Sequence, residues 1–567
     1  MYNYKFALAR EVHKIYPEIG VNELAAMTEY PPDASLGDIA LPCFKLSRTL
    51  KKAPPAIADS IRDALIGSEA SELFDSIESV SGYLNLKVSA SALAEDVIDM
   101  CRKGFDYGSS DIGKGKTVVI DYSSPNVAKP FHIGHLRSTV IGQAIKNIFR
   151  FSGYECVGVN HLGDWGTQFG KLITAYKLWG SKEDIEKRGI KALNEIYVKF
   201  HKEAENHPEL EDEARENFTK MEQHDPEALE LWKWFMDVSI KEFQKTYDLI
   251  GAEFESWKGE SFYYDKTNRV IKELKDKGLL KFDDGAYIVP LDEYGMPPCL
   301  ILKSDGSTIY ATRDIAAAFY RKDTYDFDKC IYVTGASQSL HFAQFFKVIE
   351  LLGYDWAKDL KHVPFGTVSF NGAKIATRSG NMVLLEDIFD KAIENTRAII
   401  EEKNPNLENK DEVATAVGVG AIIFNDLSNN RIKDVDFNWE EALSFEGNTG
   451  PYVQYTHARC AGILDKANRE INLADIKLTD DYEKALVKVL DVFPEKITQA
   501  RDDLEPSVIS RYLLDVCQCF NRFYQNCPVL KAEDDTTVNT RLALVNATRN
   551  VLNRGLRLIG LKTPNNI

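Results

Sequence analysis

Residues Thr117 to Arg137 read TVVIDYSSPNVAKPFHIGHLR, and three kinds of chain follow one another in that stretch. Thr117 to Ser123 is a short apolar run rich in β-branched residues, the pattern of a buried strand. Ser123 to Pro130 carries two prolines and an asparagine, which makes a loop. From Leu136 to Phe151 apolar residues recur at helical spacing, and a second apolar run, Val157 to Val159, ends in NHLGDWG. A strand, a helix and a second strand predict a parallel sheet, hence an α/β fold.

Reading outward, residues 1 to about 110 form a small α+β unit. It has an amphipathic start (Phe6, Leu8, Val12, Ile15), the turn signals Pro31-Pro32-Asp33 and Gly37-Asp38, and a helix around Ala56 to Leu65. Val80 to Val88 alternates like a half-buried strand. Gly108 to Lys116 is the linker. Residues 181 to about 260 are dense in Lys and Glu, with Leu193, Ile196, Tyr197 and Phe200 at helical spacing, and predict a helical insertion. β/α alternation resumes through CLILKSDG, STIYATRD, CIYVTGAS and HVPFGTVSF. Helical periodicity dominates from about Asp387, and a helical bundle is expected from about 450 onward.

The chain has 567 residues, so three to four domains of roughly 100–200 residues each are expected. Hydrophobic residues make up 44% and charged residues 27%, which argues against a mostly disordered chain. No run approaches the ~18 apolar residues of a membrane span, and the N-terminal stretch has neither a secretory h-region nor a transit-peptide bias. A cytoplasmic location is expected. The nine cysteines are scattered and form no CxxC pair, which argues against a disulfide framework or a Cys-rich zinc site. A net charge of −17 argues against indiscriminate nucleic-acid binding, although a local basic face on an acidic body still attracts phosphate.

The chemistry concentrates between strand and helix. In an open parallel sheet ligands bind at the carboxyl ends of strands. A helix N-terminus there offers free N–H groups and a partial positive charge, which suits phosphate. His132 and His135 stand three apart at that mouth, Gly134 permits close approach of a flat ligand, and Lys129 adds a mobile cation. This set suits the phosphates of ATP. HxGH alone fits equally a pair of satisfied histidines near a helix cap, and a metal site is a third reading that lacks a nearby Cys/His cluster.

The stretch SSPNVAKPFHIGHLRSTVIG resembles the HIGH signature of class I aminoacyl-tRNA synthetases in the form used by arginyl-tRNA synthetases. Other segments match in the same order: LGDIALPCF, HLGDWGTQFG from His161, YATRD from Tyr310, QSLHFAQ from Gln338, PYVQYTHAR from Pro451 and NATRNVLNRGLRLIG from Asn546. The resemblance implies a Rossmann-type parallel-sheet catalytic domain over 115–395, with an insertion at about 180–300. It implies an additional tRNA-binding domain over 1–110, a connecting helical segment over 396–445 and an all-α anticodon-binding bundle over 446–567. The implied activity is arginine–tRNA ligation: L-arginine is activated with ATP and Mg²⁺ to arginyl-adenylate, in the presence of tRNA, and passed to the 3′-terminal adenosine of tRNA(Arg). The expected partners are that tRNA and the two small substrates, with no membrane and no bound metal of the protein's own; a monomer is expected.

Residue by residue, the resemblance places ATP on His132, Gly134 and His135, with Lys374 and Arg378 of the second signature. It places the arginine backbone on Ser124, Asn126 and Gln338, and the guanidinium on Tyr310 and Asp314, with Asp121 and His135 also at the arginine site. A guanidinium fork pairs well with a carboxylate, which makes the Asp314 role chemically reasonable. Read without the resemblance, Asp314 suits a cap or first-turn acid on the helix that follows and Tyr310 a strand-core aromatic. Three places depart from the usual pattern, among them Asn546, which replaces a common Asp. The second signature, KMSKS-like in relatives, reads KIATRSG from Lys374 to Gly380, with Thr377 at the position of the second lysine. Where that lysine is lost, the family's lysine just before HIGH takes over its charge, which assigns catalysis to Lys129 beside His132 and His135. Asp121 stands where relatives often carry Glu. For the C-terminal bundle, Arg541, Arg549, Arg554, Arg557 and Lys562 lie near Tyr512, Phe520, Phe523 and Tyr524, a mixture that suits phosphate contact plus base stacking for a few side chains and a bundle core for most. Other class I synthetases, such as one for cysteine, would need a zinc cluster that the sequence does not offer. A silent tRNA-binding paralogue finds support only in KIATRSG.

Overall fold

The computed structural model describes residues 1–370, 373–374, 384–532 and 534–567. Its centre is a four-stranded parallel sheet built from β1 (Thr117–Asp121), β2 (Glu155–Val159), β3 (Lys329–Gly335) and β4 (Leu360–Phe365), in the spatial order β4-β3-β1-β2. All three pairings are parallel, and Asp121 is in register with Val159 on one side and Tyr332 on the other. Val118, Val119 and Ile120 are fully buried, as expected when helices cover both faces of a sheet. The helix α1 (Ile133–Phe151) links β1 to β2 on one side, while β3 returns to the other side of β1. The order therefore reverses at β1, and the crevice at the carboxyl ends of β1 and β3 is where such a sheet receives ligands.

Several boundaries differ from the sequence reading, each for a local reason. The strand expected to reach Ser123 ends at Asp121, because Ser123 and Ser124 turn the chain with φ of 73° and 50°. The helix expected from Leu136 starts at Ile133, because His132 caps it. HVPFGTVSF is not one strand. Gly366 separates β4 from Val368–Phe370, which pairs with Val435–Phe437 in a second sheet. STIYATRD contains no strand through Tyr310, which opens the helix α3 (Tyr310–Tyr325).

Between β2 and β3 the chain makes a run of helices whose longest is α2 (Pro226–Ile250), two shorter helices over Glu260–Tyr263 and Thr267–Asp276, and then a three-stranded antiparallel sheet of Lys281–Asp283, Ala286–Val289 and Cys299–Lys303. The helix α4 (Ser339–Leu351) connects β3 to β4.

Arg137, one turn into α1, fixes that helix to the connecting segment. Its side chain is 1% exposed, pairs with Asp426 at 2.9 Å, and donates to the carbonyls of Lys433 and Thr367. The N-terminal unit, a three-stranded antiparallel sheet with helices, leans on the C-terminal helices. Asp38 accepts from Lys488 at 2.5 Å, Tyr107 donates to Asp491 at 3.0 Å, and Lys5 pairs with Glu495 at 3.0 Å. Gly37-Asp38, read as a turn, is thus also a docking point between the two ends of the molecule. Among the described residues no helix is long and apolar enough to cross a membrane.

Candidate active site

The mouth of α1 is organised by its two histidines. The His132 Nδ1 accepts the Gly134 backbone N–H at 3.1 Å, and the His135 Nδ1 accepts the His132 backbone N–H at 3.2 Å. A backbone N–H can only donate, so both Nδ1 atoms carry lone pairs, and each neutral imidazole holds its proton on Nε2. The rings lie 3.8 Å apart, which disfavours charging both. Burial and Lys129 hold the His132 pKa below its usual value. Burial, His132 and Lys129 bring that of His135 down to about 3. The result is a pair of neutral Nε2–H donors at a helix N-terminus, suited to phosphate oxygens. A side chain at Gly134 would put its Cβ 2.9 Å from the His132 ring, so glycine is required there by the cap itself. Leu384 bridges back to His132, and the Leu385 N–H donates to the Phe131 carbonyl at 3.1 Å. The chain thus returns to the HIGH backbone just after the second signature.

Lys129 is half-buried, with its ammonium 5.8 Å from the Tyr197 ring centroid of the insertion. Its charge helps hold the pKa of both histidines down. Lys374 lies on a two-residue strand paired with Ser369. Thr377 and Arg378 lie outside the described residues.

The SSPN loop is held in an unusual conformation. Ser123, Ser124 and Ala128 all have positive φ, at 73°, 50° and 61°, a strain of about 1–3 kcal/mol each that surrounding bonds must offset. Ser123 is bonded by the Tyr247 and Thr139 hydroxyls at 2.8 and 2.9 Å, and the Ala128 N–H donates to Ser239 at 3.0 Å. Tyr247 and Ser239 belong to α2, so the insertion shapes this loop. Asn126 is exposed and bridges to Gly163, where a Cβ would meet its Oδ1 at 2.2 Å.

Across the crevice lies an acidic pocket. Asp314 is partly exposed, and its Oδ2 accepts from His341 Nε2 at 2.6 Å. Tyr310, one turn earlier on α3, is 62% exposed, with its ring edge-on to His341 at 5.0 Å. Asp314 is not a cap, because Ile309 occupies that position, and Tyr310 is not a core aromatic. Asp121 is already engaged: Oδ2 pairs with Arg321 at 2.7 Å and Oδ1 accepts from Ser124 at 2.9 Å. Arg321 is 1% exposed, lies over the Tyr332 ring and also approaches His161 Nδ1 at 3.3 Å. Glu260 pairs with Arg313 at 2.9 Å. Burial pushes the Glu260 pKa up to about 7; Arg313 opposes that rise, while Asp314 and Asp164 add to it. Burial pulls His161 down, and the acids Asp121, Asp314 and Asp164 all act on it. Gln338 sits exposed in the turn that follows β3, directly before α4.

The groups around His161 therefore join four acids, Asp121, Asp164, Glu260 and Asp314, to two arginines, and Asp314, partly exposed and held by a histidine where Asp121 and Glu260 are paired with arginines, is the acid best placed for a cationic ligand. Sequence reading gave no role to His341, Arg321 or Glu260. QSLHFAQ pointed to His341 as a match without a partner, and nothing local marks the other two. Among the described residues no group of three or more His, Cys, Asp or Glu could hold a metal ion.

Comparison with known proteins finds likeness along nearly the whole chain. The family described as tRNA synthetases class I (R), catalytic domain, matches residues 100–439. The arginyl tRNA synthetase N terminal domain matches 3–88 and the DALR anticodon binding domain 453–567. An arginine–tRNA ligase of Alkaliphilus metalliredigens is 54% identical over 551 residues, covering 96% of each chain. One of Clostridioides difficile is 50% identical over 568 residues, covering 100% of both. The solved arginyl-tRNA synthetase of Thermus thermophilus superposes with a TM-score of 0.85 at 26% identity, over 99% of each chain. With its HIGH mouth, its acidic crevice and these full-length likenesses, the chain belongs to the class I arginyl-tRNA synthetase family.

Proposed function

We propose that the crevice binds L-arginine with its guanidinium against Asp314 and Tyr310 and its α-carboxylate toward the HIGH mouth, where ATP lies on His132, Gly134 and His135. Family membership makes the chain an arginine–tRNA ligase; the residue roles are our assignment. One observation carries it: a partly exposed carboxylate held by His341 at the head of the helix after β3, and two neutral Nε2–H imidazoles at the head of the helix after β1, belong to the carboxyl ends of two paired strands of one sheet.

An arginine carboxylate oxygen attacks the α-phosphorus of ATP, and the bond to the β,γ-phosphates breaks, releasing pyrophosphate. A ribose hydroxyl of the tRNA 3′-terminal adenosine then attacks the arginyl carbonyl, and AMP leaves. Imidazole N–H donors that are already placed and uncharged stabilise charge shifting onto phosphate oxygens without reorganising. Lys129 supplies a cation to the leaving pyrophosphate, in place of the lysine that KIATRSG lacks, with Lys374 and Arg378 as further cations; Mg²⁺ arrives with ATP. Asn126, Gln338 and Ser124 hold the α-amino and carboxylate groups. Asp121 acts by positioning Ser124, since both its oxygens are engaged. tRNA(Arg) is held by the C-terminal helices and the N-terminal unit, with the protein a cytoplasmic monomer. No editing site is needed, because a pocket built for specific hydrogen bonds rejects analogues that lack them.

Arginine-dependent ATP–pyrophosphate exchange, run with and without tRNA, tests this. Exchange with arginine alone among amino acids, and only with tRNA present, is expected. Exchange driven by cysteine or glutamate would remove the specificity assignment, and strong exchange without tRNA would remove the tRNA requirement.

A further inference from the structure

We infer that His341 is a positioning residue for arginine recognition, one that holds both Asp314 and Tyr310 in the pose that receives a guanidinium. The inference rests on the pocket assignment above.

His341 is the third residue of α4, and the pair it touches lies on α3. Its Nε2 meets Asp314 Oδ2 at 2.6 Å, and because a carboxylate accepts, the imidazole donates. Its ring meets Tyr310 edge-on at 5.0 Å, at an interplanar angle of 69°. One imidazole therefore contacts both residues of the guanidinium-reading pair.

The imidazole is itself immobilised. Phe345 and Phe342 pack on it at 5.3 and 5.4 Å between centroids, and Phe342 is stacked on His362 at 4.4 Å and 10°. The His341 side chain is 17% exposed, so it reaches the pocket wall from a packed base. Asp314 and Tyr310 lack such support of their own. The side chain of Asp314 is 29% exposed and Tyr310 is 62% exposed.

The stoichiometry of lone pairs agrees. An ionised carboxylate offers about four acceptor sites. His341 occupies one on Oδ2, and among the described residues Oδ1 has no hydrogen-bond partner, so a guanidinium can still bind both oxygens side by side. A carboxylate free to rotate would have to be ordered each time arginine binds; one already clamped is not. The expected signature is on arginine affinity, with the chemical step untouched, because the partners of His341 are the guanidinium-reading pair and not the residues assigned to ATP or the reacting carboxylate.

The test uses the full-length protein and steady-state tRNA charging at varied arginine and varied ATP. The variants are His341→Phe, which keeps the packing and removes the N–H, His341→Gln, which restores an N–H donor, Asp314→Asn, and the His341→Phe/Asp314→Asn double. His341→Phe should raise the arginine KM by about tenfold or more, the scale of a lost charge-assisted hydrogen bond, with the ATP KM and kcat changed by less than about threefold. His341→Gln should recover part of that loss. The double variant should be no worse than Asp314→Asn alone, since one residue acts through the other. An unchanged arginine KM in His341→Phe, with Asp314→Asn impaired, would overturn the role of His341 and leave the pocket standing. Equal losses toward arginine and ATP in both His341 variants, with a lower Tm, would reduce it to ordinary packing. An unchanged arginine KM in Asp314→Asn would remove the pocket assignment itself.

Discussion

His135 and His341 are each the third residue of a helix that follows a strand of the same sheet, and they are wired in opposite ways. His135 turns its Nδ1 to the backbone of its own cap and leaves Nε2–H for a ligand. His341 turns Nε2 away from its own helix to a carboxylate 27 residues earlier in the chain. At the HIGH mouth the functional groups are set by bonds within four residues. In the acidic pocket they are set by contacts between elements that only the assembled sheet brings together. The first arrangement is a local device that tolerates change elsewhere; the second depends on how two βα units pack.

Substitutions on both sides probe that contrast, from the largest effect down. Asp121→Ala removes the partner of Arg321, which stays buried with its charge uncompensated. A loss of about 3–5 kcal/mol, read as a fall in Tm or in the denaturant midpoint, is expected. Unchanged stability with a raised arginine KM would instead make Asp121 a direct substrate contact. Lys129→Ala should lower kcat by roughly 10²–10³ and leave the arginine KM in place, the scale seen when one transition-state donor is lost. Thr377→Lys in the same chain should restore part of that rate, Lys374→Ala should be milder, and full activity in Lys129→Ala would return Lys129 to a loop lysine. Asp314→Asn keeps the shape of the pocket and removes its charge. The arginine KM should rise by the equivalent of about 2–4 kcal/mol while the ATP KM holds, which would confine the effect to the pocket side of the comparison.

The smallest effect is a pH dependence at the mouth. The His135 pKa in the fold is brought down to about 3, against an ordinary value of 6.5. The unfolded chain therefore takes up a proton below pH 6.5 that the folded chain refuses. Its contribution to stability is fully present above 6.5 and drains away as the pH falls toward 3. Between pH 7 and 5 this amounts to at most about 2 kcal/mol. His135→Asn should flatten the decline in Tm over that interval relative to the parent chain; parallel curves would mean that His135 charges freely.

The contrast also explains what could be read from the sequence. The mouth was legible because strand, loop, cap and helix are consecutive, from Thr117 to Phe151, and each follows from composition and spacing. The true start of α1 was missed by three residues because a histidine cap is not a usual cap signal. The arginine side was legible only as a resemblance. Nothing near Asp121 announces that Arg321 will bury its guanidinium against it, and nothing near Tyr310 says that the chain turns helical there. Those facts belong to the register of β1 with β3 and to the packing of α3 against α4, which spacing along the chain does not encode. The same holds for the C-terminal aromatics. Tyr512, Phe520 and Phe523 are buried and Tyr524 is exposed beside Arg459, a division that helical periodicity suggests but does not assign to individual rings.

The contacts of Asp38 with Lys488 and of Tyr107 with Asp491 span 450 and 384 residues of chain. On the ribosome, where synthesis runs at about 5–20 residues per second, Lys488 follows Asp38 by roughly 20–90 s. For that interval the N-terminal unit has been made and its docking surface has not. Its residues Leu8, Val12, Ile39, Leu41, Leu84 and Leu86 belong in the finished fold to one buried cluster that continues into the C-terminal helices, so until those helices emerge this core lacks part of its cover. A mutation that weakens this core would therefore be felt during synthesis, as lost yield of full-length protein, before any change in charging rate could be measured.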